Sequence, residues 1–431
     1  MAKAVIVFIF TALARLALAI HQPTVVAITG SVGKTSTKDA IATALAVSHT
    51  VRKSSKSFNS EIGVPLSVLG LDNAWQSVWG WIRNIFLGIR AVVFPMPQIL
   101  VLEVGADHPG DISRVAYWIR PQVTVLTRFP DVPVHVEFFN SPEAVANEKR
   151  HLRKALREKG ILAVNADDPV LMREPCERGQ QKISFGSGPQ ATVRLESSAY
   201  VYDARGNPSG MQLRIAIGGA SIPLMLAGTI GTGSVMSILA ALAVTHALGG
   251  NVVDAARALE HKEPTPGRMR LIPGKMGATI IDDTYNASPI AAEALLQALS
   301  ELQTKGKKIL AIADMKELGD FAARMHQELG VRIAHAWKSH SITHLYTVGD
   351  LGKVVSEAAA EAGMPREHIA WVRDSQTLAT ALVPQITQGD VVAVKGSQSM
   401  RMERVVVAAM QNPEAAPQLL VRQEHEWITR S

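Results

Sequence analysis

Cysteine is almost missing from this 431-residue chain. Cys176 is the one example, so no internal disulfide and no cysteine metal cluster can form, and the chain suits a reducing cytosol. Lysine and arginine blocks of the nucleic-acid-arm type are also lacking. The 44 basic and 38 acidic residues leave a net charge of +6, which fits small anionic partners such as nucleotides, or anionic lipid. No internal repeat or low-complexity tract occurs. A hydrophobic share of 47% against 19% charged residues excludes wholesale disorder, and the length suits about two to three domains with proper cores.

Acidic residues are missing from one long stretch. None lies between Asp72 and Glu103, where Trp75, Val78, Trp79, Ile82, Ile85, Phe86, Ile89 and Val93 recur at helical three-and-four spacing and three of the seven tryptophans gather. Gln76, Arg83, Asn84 and Arg90 fall largely on the opposite side. Two readings fit: an interfacial amphipathic helix with a basic polar face, or a helix covering the protein's own core. The segment from Ala4 to Ile20 is nearly all apolar, with Lys3 before it and Arg15 inside it. Seventeen helical residues rise about 25 Å against a hydrocarbon core of about 30 Å, and an arginine at its centre costs roughly 2.5 to 3.5 kcal/mol. A clean span is therefore disfavoured. Cleavage after Ala17-Leu18-Ala19 would leave only Ile20 to Thr24 before the next strand, which also disfavours an export signal. A helix packed on the protein or lying in a membrane surface remains.

What the chain does have is most concentrated at Val25 to Thr37, V-V-A-I-T-G-S-V-G-K-T-S-T. A β-branched apolar run suits a buried parallel strand, and Gly30 and Gly33 let backbone N–H groups turn toward phosphate oxygens. Lys34 can reach the β- and γ-phosphates, and the Thr35 hydroxyl can hold Mg²⁺ at the start of the next helix, so Gly30, Ser31, Gly33, Lys34, Thr35 and Ser36 form a candidate ATP cradle. The commoner G-x-x-x-x-G-K-[ST] form would need glycine at position 28, where Ile28 stands. This is the shorter T-G-x-x-G-K-T loop.

Beyond it, strand-like runs alternate with helical patterns, which predicts an α/β fold: a P-loop-type central domain with a mostly parallel sheet, followed by a Rossmann-like α/β domain. Ile99 to Glu103, Val123 to Thr127 and Ile161 to Asn165 read as buried strands, Ala191 to Ala227 as antiparallel ones, and Ser234 to Leu248 as a buried helix. His261 to Arg268, with two prolines and a glycine, marks a boundary. Fresh strands follow at Thr279 to Asp282, Lys308 to Ala313, His344 to Val348 and Val391 to Lys395, and the tail from Asn412 reads as loosely packed. The expected organisation is an apolar helix over 1–22, an ATP-binding domain over 23–262 with a Trp-rich insertion at 73–97, and a last domain over 263–431.

Several polar clusters sit at the ends of these runs. Glu103 ends a strand, where a carboxylate can hold a Mg²⁺ that also touches the nucleotide. His135 and Glu137 lie on a loop, and Lys149 lies on a helix face, where composition alone makes it a solvated lysine. P-G-R-M-R, I-I-D-D-T-Y-N-A-S-P, I-A-D-M-K-E-L-G and V-A-V-K-G-S follow, each by itself an ordinary turn or helix cap.

In this order the clusters resemble the Mur ligase superfamily, over about residues 24 to 411, and within it the branch that adds D-alanyl-D-alanine in peptidoglycan synthesis. T-G-S-V-G-K-T is similar to the family's ATP loop, F-N-S-E-I-G-V-P-L to its N-N-x-x-G-x-P-L segment, and E-V-G-A-D-H-P-G-D-I to E-L-G-x-N-H-x-G-E-I. D-D-T-Y-N-A-S-P looks like the branch's D-D-x-Y-N-A-N-P. The resemblance implies that Thr35, Glu103, His135 and Lys149 hold Mg²⁺, with Lys149 carried as a carbamate. It further implies that Arg268, Asp283, Tyr285 and Asn286 close over ATP from the last domain, and that Asn59 and Lys395 lie on the substrate side. Lys34, Lys149, His135 and Arg268 would be the catalytic set.

The chemistry so implied is attack of a carboxylate on the γ-phosphate of ATP, then displacement of phosphate by an amine. Two anions meet in the first step, which is why Mg²⁺ ligands and a lysine outnumber nucleophiles. Three departures stand out. Only Met1 to Pro23 precede the P-loop strand, where the family ligase carries a domain that grips the UDP end of its substrate. The family's G-x-H-N-x-x-N segment reads G-T-G-S-V-M-S at Gly231 to Ser237, and the Trp-rich stretch replaces a short connection. The expected function is an ADP-forming amide ligase acting on a small-molecule or lipid-linked cell-wall precursor, in the cytoplasm or at the inner face of the membrane. The alternatives are a related ligase with another acceptor, such as a polyglutamate-adding enzyme, and a nucleotide-binding membrane-surface scaffold without turnover.

Overall fold

The structure is a computed structural model that describes residues 2–55, 58–75 and 77–428; Gln76 lies outside the described residues. Nine strands make the first sheet: β1 (Thr24–Thr29), β2 (Val51–Lys53), β3 (Ile99–Glu103), β4 (Val123–Leu126), β5 (Ile161–Asn165), β6 (Gln181–Gly186), β7 (Val193–Tyr202), β8 (Pro208–Ile217) and β9 (Ala220–Ala227). Their spatial order is β2-β3-β1-β4-β5-β6-β7-β8-β9. Strands up to β7 pair in parallel, and β7-β8-β9 form an antiparallel meander. Strand β1 lies between β3 and β4, so the chain leaves it on one side and returns on the other. That is a switch point, where crevices open at the carboxyl ends of the strands.

Both faces of β1 are buried, and its side chains alternate between two cores. Val26 and Ile28 join the core built on α2 (Lys34–Leu45), and Val25 and Ala27 join the opposite one, which holds Phe10, Ala14 and Ala17 of α1 (Ala2–His21). The period-two pattern of a strand covered on both sides explains the unbroken apolar run. Helices α3 (Gly63–Leu69), α4 (Val78–Val93) and α5 (Asp111–Ile119) complete the α1 side. Helix α6 (Pro142–Lys154) carries Lys149, the short α7 spans Pro169–Met172, and α8 (Thr232–Ala247) packs against α2.

The second sheet has six strands, β10 (Arg270–Pro273), β11 (Thr279–Asp283), β12 (Lys308–Ala313), β13 (His344–Val348), β14 (Ile369–Val372) and β15 (Val391–Lys395), in the order β10-β11-β15-β12-β13-β14. All pairs are parallel except β10 with β11. The α/β architecture read from the sequence is therefore present in both halves.

One expectation needs correction. The tail beyond Asn412 is docked: Ala416 and Leu420 are buried, and Arg422 donates to the carbonyl oxygens of Tyr285 and Thr284 while pairing with buried Glu403. An arginine fork can satisfy several backbone acceptors at once, a force that hydropathy does not register. In α4, for which the sequence left a core-covering and an interfacial reading open, a narrow stripe of Asn84, Gly88 and Val92 is buried, with Trp81 and Ile85 half-buried beside it. Asn84 places Nδ2 2.7 Å from the Asp72 carbonyl, while Trp79, Phe86 and Val93 point outward, as do Arg83 and Arg90.

Candidate active site

The loop between β1 and α2 is shaped by its glycines. Gly30 has φ 148°, and a Cβ there would stand 2.0 Å from Thr127 Oγ1, so the position admits no side chain. Thr127, just past β4, donates to the Val32 carbonyl at 2.6 Å and pins the loop from the neighbouring strand. Gly33 is left-handed (φ 82°) and leads directly into Lys34, leaving the first N–H groups of α2 facing the loop. Lys34 Nζ donates to the Gly30 carbonyl at 2.9 Å. Its ammonium is lowered from the ordinary lysine value by burial, against the partial support of Glu103.

The parallel register sets Ile28 beside Glu103. The last residue of β3 thus delivers its carboxylate to the helix start, where Thr35 Oγ1 donates to Glu103 Oε2 at 2.9 Å. Both groups are buried hard-oxygen donors facing the P-loop, which fits a Mg²⁺ ion: such an ion takes one or two protein oxygens and fills its other positions with phosphate and water. Among the described residues no three His, Cys, Asp or Glu side chains converge to form a closed metal cage. The expected ligand set is accordingly spread out. His135, in left-handed backbone (φ 68°), lies 3.5 Å from Asp107 and 2.8 Å from Glu317 of the second half. Lys149 is 3% exposed, with Nζ 2.9 Å from Ser31 Oγ and 6.0 Å from the Phe129 ring centre. Burial, reinforced by the Lys34 cation, pushes its ammonium well below the usual lysine range. It is not the solvated lysine that composition suggests.

The second half supplies the opposing wall. Arg268 stacks its guanidinium 4.1 Å above the Tyr285 ring. Lys395 Nζ reaches Asp283 Oδ2 at 2.5 Å and the Asn286 carbonyl at 3.0 Å, because β11 and β15 are parallel and set these two residues side by side at their carboxyl ends. Asp282 is fully buried; it accepts from Gly267 N at 2.9 Å and Thr284 Oγ1 at 2.6 Å, and burial pushes its pKa up to about 6.

Two cavities flank the P-loop. One of about 670 Å³ brings Ser31, Lys34, Thr35, Asn59 and Glu103 together with His135, Arg268 and Asn286. The other, about 490 Å³ and more apolar, joins Ser36, Phe185, Met211 and Met236 to Asp283 and Lys395. Asn59 and Lys395, expected on one side, therefore border different cavities. Sequence reasoning passed over Lys38, one helical turn after Lys34, which is buried with Nζ 3.9 Å from Glu103 Oε2. It also assigned nothing to Asp282 or Glu317, although both lie inside motifs it singled out.

Residues 84–245 match the Mur ligase middle domain, and residues 267–398 match the Mur ligase glutamate ligase domain. The structure is similar to MurF ligase from Thermotoga maritima in complex with ADP, with a TM-score of 0.75 and 30% identity over 93% of this chain and 82% of that one. The chain belongs to the Mur ligase family. Like other Mur ligases it is an ADP-forming, ATP-dependent ligase, and its two α/β halves are those of the family. UDP-N-acetylmuramoyl-tripeptide--D-alanyl-D-alanine ligase from Bacillus subtilis (strain 168) is 29% identical over 407 residues, covering 94% of this chain and 80% of that protein. Folylpolyglutamate synthase from Mycobacterium tuberculosis shares the Mur ligase fold at a TM-score of 0.62 and 16% identity.

Proposed function

We propose that this Mur ligase joins the free carboxylate of a UDP-linked muramoyl peptide to the amine of D-alanyl-D-alanine. The observation that supports it best is the composition of the larger cavity, where the P-loop lysine and the Thr35–Glu103 pair face Arg268 and Asn286 across the two halves. A phosphate-transfer group and an open substrate space border the same void.

ATP lies with its phosphates on the Gly30–Gly33 amides and Lys34, and its base in the smaller, more apolar cavity, where Phe185 and Met236 provide contact in place of the family's missing histidine and asparagines. Arg268, Tyr285, Asp283 and Asn286 close on the nucleotide from the second half. The acceptor carboxylate enters past Asn59. Its oxygen attacks the γ-phosphorus, ADP leaves, and an acyl phosphate remains; the amine then attacks the acyl carbon, phosphate departs with the bonding electron pair, and the new amide loses a proton. Thr35 and Glu103 would hold a Mg²⁺ ion, and His135 and a carbamate on Lys149 would offer further ligands; bound there, the metal would neutralise the two anions that must meet. Lys34 adds a fixed cation beside them, and Arg268 limits water entry from the second half.

A carbamate forms when a neutral amine adds to carbon dioxide. The depressed pKa of Lys149 provides that amine, and a negative product beside Lys34 relieves the repulsion between two buried cations. We place the domain division at 262/263 and the enzyme in the cytoplasm, where ATP is available. The deciding experiment is phosphate release from ATP by purified protein, screened over muramoyl peptides with D-alanyl-D-alanine and, in parallel arms, L-glutamate. Release that requires both a muramoyl tripeptide and D-alanyl-D-alanine supports the reading. Release with L-glutamate in place of D-alanyl-D-alanine assigns another amine, and none with any pair overturns this choice of substrates.

A further inference from the structure

Helices α1 and α4 meet along a seam that leaves many of their large apolar side chains outside. The seam is made of Phe10, Ala14 and Ala17 from α1 and Asn84, Gly88 and Val92 from α4. A Cβ on Gly88 would stand 3.0 Å from Leu13 Cδ1, so the helices are as close as glycine allows. His21 Nε2 lies 2.9 Å from the Val92 carbonyl, and the Phe10 and Trp81 rings are 5.6 Å apart, which ties α1 flat along α4. On the outer side Trp79 is 81% exposed and Phe8 74%, with Phe86, Val93, Phe94 and Leu16 open around them. An ordinary surface helix turns the other way, with its large apolar residues inward. Here the buried stripe of α4 is Asn84, Gly88 and Val92 only, with Trp81 half-buried against Phe10.

The two helices carry charge of one sign, and the acidic Glu61, beside the start of α1, is paired with Lys3 at 3.0 Å. Neither α1 nor α4 contains an acidic residue, the first in the chain is Asp39, and none lies between Asp72 and Glu103. Arg15, Arg83 and Arg90 are all exposed on these two helices, Arg90 lying 5.1 Å from the Phe94 ring. A second copy of the chain would bring two faces of the same basic sign together with no acidic residue on either pair of helices to answer the arginines. An anionic bilayer offers what the face needs: negative headgroups at its surface and an apolar interior that conforms to any outline. The helix over residues 3–21 is strongly apolar yet mostly unburied, and the seam holds it against the body.

We propose that the α1–α4 face seats the enzyme on an anionic membrane surface, with both helices parallel to the bilayer and Trp79, Phe86 and Phe8 in the headgroup–acyl boundary. This is independent of which amine the ligase uses. Each arginine near an anionic surface contributes roughly fivefold to binding, so three together contribute about a hundredfold at low salt, and apolar insertion adds a part that salt does not screen.

The test is co-sedimentation of the full chain with phosphatidylglycerol-containing and pure phosphatidylcholine vesicles across a salt series, with light scattering of the lipid-free protein. Binding to phosphatidylglycerol that weakens but persists in high salt is expected, together with a blue shift of tryptophan emission. Arg15→Gln/Arg83→Gln/Arg90→Gln should weaken binding to anionic vesicles about a hundredfold and flatten its salt dependence. Trp79→Ser/Phe86→Ser should abolish binding, with melting temperature and ATP affinity unchanged because these side chains already face solvent. A folded protein that sediments with neither vesicle type overturns the proposal. So does a lipid-free dimer dissociated by Trp79→Ser/Phe86→Ser, which assigns the face to a second copy, or unfolding of that variant, which makes the face part of the core.

Discussion

Lys149 separates a structural lysine from a working one, because the two demand opposite things of its charge. Nζ is buried 2.9 Å from Ser31 Oγ with the Lys34 cation nearby and no carboxylate at contact distance among its described partners. An ammonium there is opposed by desolvation and by Lys34, so the folded protein holds Lys149 as a neutral amine over a pH range in which the unfolded chain binds a proton. Stability from this group therefore rises with pH from its depressed folded pKa up to about 10.5. A carbamate reverses the sign of the site and turns both neighbours into partners. Lys149→Ala should lower ligation by about 10²- to 10³-fold, the usual loss for one electrostatic contributor. Formate or acetate should restore part of it by placing a free carboxylate in the vacated space. The assay is phosphate release in carbon-dioxide-depleted and bicarbonate-supplemented buffer, with intact-protein mass read under mildly alkaline conditions. Full activity without bicarbonate, an unmodified Lys149, or a Lys149→Ala rate within about threefold of wild type would refute the reasoning.

Lys34→Ala should abolish ATP-dependent ligation, by at least about 10²-fold in kcat, since a methyl group cannot supply the cation at the transferring phosphate; an unchanged kcat with only KM altered would argue against that role. Lys395→Ala leaves Asp283 buried without its 2.5 Å partner and should cost about 3 to 5 kcal/mol of stability, and calorimetry of Lys395→Ala, Asp283→Ala and the double variant should find the double less destabilised than the sum. Asp282, whose pKa is pushed up to about 6 from 3.8 by burial, keeps a proton that the unfolded chain releases. The folded state is therefore favoured at low pH, and wild type should lose about 2 kcal/mol relative to Asp282→Asn between about pH 4.5 and 7. Urea midpoints for the two proteins that run parallel over this range would count against it.

Much of the fold could be read directly because the central parallel strands of both sheets are covered on both faces. Ile99–Glu103, Ile161–Asn165, Lys308–Ala313, His344–Val348 and Val391–Lys395 fall where the apolar runs place them. Strands β2, β6, β10 and β14 escaped the same reading. β2 is a three-residue edge, β14 is half-exposed, β6 opens with exposed Gln181 and Lys182, and β10 holds a proline and antiparallel pairing just past the boundary. Each lacks the double-sided burial that makes a run conspicuous. The P-loop was legible for a different reason. Its glycines, lysine and threonine lie within six consecutive residues, so their geometry is local, whereas the His135–Glu317 contact spans two motifs separated by nearly half the chain.

The apolar helices show a limit of another kind. Periodicity in α4 reveals two faces, but the spacing of apolar residues does not say which face turns inward. Both orientations are therefore open, and the structure turns inward Asn84, which has a backbone carbonyl to donate to, and Gly88, which lets Leu13 approach. With Asn84 and Gly88 inside, Trp79, Phe86 and Val93 must turn out, since a helix cannot bury both sides against one neighbour. An exposed apolar face of this kind is the ordinary mark of a surface that meets something apolar, which is why spacing alone does not say which side of such a helix is the protein's surface.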